Sequence, residues 1–65
     1  MEIIKSKNYM LDLKTLKENA KKSISKYTKG NNIYEIYAYK NIIGVSVIDT
    51  KNEYFNIEIF NIKGV

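Results

Sequence analysis

Three sets of side chains in this 65-residue chain could do chemistry: the carboxylates Glu35 and Glu58, the lysines Lys14, Lys17 and Lys21, and an aromatic set of six tyrosines and two phenylalanines. Paired carboxylates act as general acid and base when a pocket desolvates one of them. The strand register derived below puts Glu35 and Glu58 on one sheet face but two registers apart, with nothing nearby to desolvate either. They read as polar strand residues. No glycine-rich phosphate loop, nucleophile–base pair or metal-ligand cluster is present, and the chain has no His and no Cys. The expectation is a protein that is not an enzyme and that uses no metal and no cofactor.

The lysines offer point charges for phosphate, and tyrosine rings stack on bases, as in sequence-tolerant nucleic-acid binding. Against this stands the ordinary solvated helix face, whose lysine stems lie over the edge of the core. The expected geometry also separates the two groups, with the helix on one sheet face and the aromatics on the other. A nucleic-acid-binding or regulatory protein using Lys14, Lys17, Lys21, Lys22 and Lys26 is therefore the second reading. The chain has no Arg, hence no bidentate fork for guanine edges or phosphate.

Composition narrows the rest. The net charge of +4 attracts polyanions only weakly. A chain this short buries about 60% of the surface its unfolded form exposes, so its core is marginal. Without Cys or His, neither disulfides nor a zinc site can compensate, which leaves self-association as the favoured remedy. No apolar run nears the roughly 20 residues that span a bilayer, and the N-terminus has no signal-peptide core. The expectation is one cytoplasmic domain over residues 1–65. The abundance of Lys, Asn, Ile and Tyr fits an AT-rich coding sequence, such as that of a low-GC bacterium or its phage, and the small size with Met1 at the start fits a mobile-element gene.

The elements that position these groups centre on Ile42-Ile43-Gly44-Val45-Ser46-Val47-Ile48, an uncharged, β-rich run bounded by turn residues. Its odd positions form a continuous aliphatic row, which predicts a core face of Ile43, Val45 and Val47. Upstream, Leu13, Leu16, Ala20, Ile24 and Tyr27 recur at helical spacing. With Asp12 as N-cap, Leu11 stapled to Leu16 and Gly30 as C-cap, they predict a helix from Leu13 to near Thr28. A two-residue Lys40-Asn41 loop pairs Tyr39 with Ile42, Tyr37 with Gly44 and Glu35 with Ser46. A three-residue loop Thr50-Lys51-Asn52, with Asn52 left-handed, puts Phe55 opposite Val47, Ile57 opposite Val45 and Ile59 opposite Ile43. The last strand runs from Glu53 to about Phe60, residues 61–65 form a tail, and Ile3 and Ile4 suggest a short edge strand. The fold class is α+β: a two-layer sandwich of one amphipathic helix on a three- to four-stranded antiparallel sheet, β-α-β-β-β or α-β-β-β.

The second sheet face then collects Tyr37, Tyr39, Ile42, Tyr54 and Phe60 around a polar centre. It is too apolar for a face turned to water. Aromatics exposed merely to stabilise cross-strand pairs are the plainer explanation. The function expected is a small binding protein, a phage or mobile-element inhibitor of host defence. It would act as a homo-oligomer that docks on a nucleic-acid-handling host protein or sequesters an anionic nucleotide ligand. The binding residues expected are Tyr37, Tyr39, Ile42, Tyr54, Phe60, Lys14, Lys17 and Lys21.

Overall fold

The computed structural model describes residues 1–64; Val65, the end of the expected tail, lies outside them. The chain runs β1 (Glu2–Lys5), α1 (Tyr9–Asn19), β2 (Ser25–Lys29), β3 (Asn32–Tyr39), β4 (Ile42–Asp49) and β5 (Tyr54–Lys63). All strand pairs are antiparallel, in the spatial order β1-β5-β4-β3-β2. The α+β class and the single helix layer are as the sequence predicts, with five strands in place of three or four. Among the described residues no helix is long and apolar enough to cross a membrane.

The extra strand comes out of the expected helix. Helix α1 starts four residues early, with Asn8 at its N-cap, and ends at Asn19. Asp12 lies in the first turn, where a negative charge favours the helix dipole. Its carboxylate accepts the Ser6 hydroxyl at 2.6 Å and the Asn61 amide at 3.1 Å. These two bonds, Ser6 first, hold the Asp12 carboxyl below its ordinary value. At the other end, the Asn19 side chain donates to the Thr15 carbonyl at 2.8 Å and the Ala20 N–H to the Leu16 carbonyl at 2.7 Å. Beyond them, Ser25 to Lys29 contain Tyr27 and Thr28, which favour extended backbone. Gly30, expected as a helix C-cap, does take a left-handed φ of 61°, but in the two-residue turn that folds β2 onto β3. A Gly-Asn pair between two extended runs is a hairpin signal, and here it outweighs helical periodicity.

The β3–β4 hairpin has the predicted register, with Lys40 left-handed at φ 54° in its two-residue loop. The β4–β5 pair is shifted by one residue: Ile59 lies opposite Gly44, Ile57 opposite Ser46 and Phe55 opposite Ile48. Asp49 causes the shift. Its carboxylate accepts the backbone N–H groups of Lys51 and Asn52 at 3.0 and 3.1 Å and the Asn52 side-chain amide at 2.8 Å. This side-chain-capped turn spends four residues, Thr50 to Glu53, and moves the left-handed position from Asn52 to Glu53 at φ 53°. One added loop residue turns every β5 side chain to the opposite face. Residues 61–63, expected in a tail, continue β5 and pair with β1.

The helix also covers the face opposite to the predicted one. Leu16, Ile42 and Ile59 form the buried core, with Leu13, Ala20, Tyr37, Tyr39 and Ile57 packed around it. Ile43, Val45 and Val47 point away from α1. The reason is space. A Cβ placed on Gly44 would lie 2.5 Å from Leu16 Cδ2, so with any other residue there the Leu16 tip would have to shift for the helix to settle this close to β4.

Candidate functional site

Exchanging the faces divides the expected binding residues. Tyr37 and Tyr39 pack against the core beneath α1, and Ile42 belongs to that core at 8% exposure. The assignment of these three to an uncovered contact face is thus corrected: the glycine slot in β4 draws the helix onto their side. Tyr54 and Phe60, on the other parity of the slipped strand, stay on the uncovered face, Tyr54 exposed and Phe60 half-buried. Glu35 and Glu58, expected on one face, lie on opposite faces for the same reason.

Two surfaces result. The first is a groove of about 390 Å³ on the helix side, at the end of the sheet that α1 leaves bare. Its helix wall carries Leu13, Leu16 and Lys17, continued past the helix end by Ala20 and Lys21, and its sheet floor carries Tyr37, Ser46, Ile48, Phe55 and Ile57. Phe55 is 60% exposed here. Lys17 and Lys21 therefore share a groove with Tyr37 and Phe55, although the sequence reading set lysines and rings on opposite faces. The Lys21 ammonium donates to the Lys17 carbonyl at 3.4 Å, a position at the negative end of the helix. Lys14 is exposed farther along α1, beside Met10, Leu13 and Glu18.

Glu35 also lines this groove and accepts the Tyr37 hydroxyl at 3.1 Å. That bond, then burial and the carboxylate's charge, raises the Tyr37 hydroxyl above its ordinary value of 10.0. The groove is largely apolar, cationic at its helix rim, and carries acceptor oxygens on its floor. Its volume lies within the roughly 300–1,000 Å³ of small-molecule sites. Such a groove can hold a planar ring against Tyr37 and Phe55 while the ammonium groups meet an anionic tail.

The second surface is the open sheet face, which sequence reasoning took for the core. Ile36 and Tyr34 on β3, Ile43, Val45 and Val47 on β4 and Phe60 on β5 are all half-buried with no layer above them. At its edge Tyr27 and Tyr34 stack, ring centroids 4.7 Å apart and planes within 10°. The signal that could have found this face is Gly44 itself, since the side of a strand that carries glycine has room for another element to approach. Comparison of the chain with protein-family models, with curated proteins and with solved structures finds no match, so function here rests on these two surfaces.

Proposed function

We propose that this chain is a non-catalytic binding protein that takes an anionic, ring-bearing small molecule of the nucleotide class into the groove between α1 and the sheet. One observation carries the reading: Lys17 and Lys21 line the same groove as Tyr37 and Phe55. Charge and ring stacking are both needed to hold a nucleotide-like ligand, and the Glu35 and Ser46 oxygens offer acceptors for ring N–H groups. In the same reading the protein works in the cytoplasm as a homo-oligomer. It is an inhibitor, encoded by a phage or mobile element, that withholds such a ligand from host defence. Its small size, its composition rich in Lys, Asn, Ile and Tyr, and the marginal core support that setting.

The test is a titration of the protein with mononucleotides and with short single-stranded oligonucleotides, followed by tyrosine fluorescence. Saturable mononucleotide binding that Lys17→Ala and Lys21→Ala each weaken by about tenfold, the weight of one charge-assisted contact, supports the reading. Lack of mononucleotide binding at low ionic strength sinks it. The convergence of lysines and rings also favours the second reading, a nucleic-acid binder. That reading requires tighter oligonucleotide binding, lost at about 1 M salt, where screening is complete within about 3 Å.

A further inference from the structure

We infer that two copies of this chain pair face to face through the open side of the sheet, giving a dimer with layers helix, sheet, sheet, helix. The inference deepens the oligomer part of the proposed function and rests on it, while remaining independent of the ligand.

A single copy has too much surface. A folded monomer of 7.6 kDa is expected to expose about 4,300 Å², whereas this chain exposes 4946 Å². Its radius of gyration is 12.3 Å against about 10.7 Å expected for its length. The open face contributes exposed Ile3, Tyr27 and Tyr54 to that surface. Five strands about 4.8 Å apart, of 4, 5, 8, 8 and 10 residues at about 3.3 Å each, cover roughly 550 Å². Two such faces bury about 1,100 Å², above the roughly 1,000 Å² that a specific interface must clear.

Charge selects a second copy over another partner. The open face carries two lysines, Lys5 and Lys29, and two acids, Asp49 and Glu58, so it is neutral although the chain carries +4. The excess lysines lie elsewhere, several of them on α1 and in the groove. Two copies therefore meet on this face with no net charge between them, and a strongly charged partner would gain nothing from it. Lys5, Lys29 and Asp49 lie toward the rim, Val45, Val47 and Ile36 form an apolar centre, and Glu58 lies beside that centre, opposite Val45. Pairing by sheet edges is disfavoured, since β1 has only four residues and the exposed edge strand β2 carries Lys26 and Lys29. A stacked dimer also leaves both grooves facing outward.

The experiment is light scattering of the full chain across a concentration series. A mass of twice 7.6 kDa is expected. Val45 lies mid-strand on the central strand, so a two-fold axis through the face brings its two copies together. Val45→Lys should raise the dimer dissociation constant by about a hundredfold, while Phe55→Lys on the helix side leaves it unchanged. Should Val45→Lys not fold, Val45→Cys supplies a thiol in a chain that has none. A bifunctional thiol reagent spanning the roughly 10 Å between stacked sheets should link copies through that position and not through Phe55→Cys. A monomeric mass, any mass other than two copies, or cross-linking through Phe55→Cys instead would overturn the dimer. A monomer that still binds mononucleotides defeats this inference alone, and a dimer that binds none defeats the ligand alone.

Discussion

The two faces of this sheet are nearly equal in apolar content and opposite in bulk. On the covered face β4 presents Ile42, Gly44 and Ser46, and on the open face Ile43, Val45 and Val47. A rule that buries the more aliphatic row chooses the wrong one. What draws the helix is the slot at Gly44, which Leu16 fills to 3% exposure. A strand apolar on both sides has two uses for its faces, and shape, more than hydrophobicity, decides which one its own helix takes.

The strongest challenge to this contrast is Leu16→Ala, expected to cost about 2–5 kcal/mol. Against a total of about 3–10 kcal/mol for a domain of this length, that unfolds much of the population, as urea titration followed by circular dichroism would register. Gly44→Ala is next, at about 1–3 kcal/mol, because the new methyl must displace Leu16. Val47→Thr on the open face should cost within about 1 kcal/mol in dilute solution, where copies are apart, and more as concentration rises. If Val47→Thr matched Leu16→Ala at dilution, the distinction between covered and open faces would collapse.

Two pH measurements sharpen the comparison further. The Asp12 carboxyl is held below its ordinary 3.8 in the folded chain by Ser6 and Asn61. Its contribution to stability is complete above that value and is lost as pH falls through the depressed folded pKa. Ser6→Ala should flatten the acid limb of the stability curve. The smallest effect concerns Tyr37, whose hydroxyl is raised above 10.0 first by its bond to Glu35. The linked stability is present below the ordinary value and is lost as pH rises through the raised one. Glu35→Gln should bring the tyrosinate absorbance transition back down.

Much of this architecture is legible in the residues, and the gaps have local causes. The Lys40-Asn41 turn and the pairing of Tyr37 with Gly44 follow from alternation and a two-residue loop. β2 is hidden because Ile24 and Tyr27, three apart, continue the helical stripe of Leu13, Leu16 and Ala20, and Gly30 suits a helix cap as well as a turn. The β5 parity is hidden because it depends on the Asp49 side chain capping the loop, a single interaction that adds one residue and reverses a strand. The site inherits both errors. Tyr37 and Lys17 reach one groove only when the helix sits over Gly44, and the open face becomes legible only once the covered one is known.

The pairing of Glu2 with Lys63 has a kinetic reach. Every other strand pair closes across two or four residues and can zip locally, whereas β1 finds β5 only after the whole meander is in place. Its amides should be the first to exchange with deuterium, and its arrival the last event of folding. A chain circularised between those neighbouring ends and reopened at the Gly30-Asn31 turn would keep every rung of the ladder while passing the long search from β1 and β5 to β2 and β3.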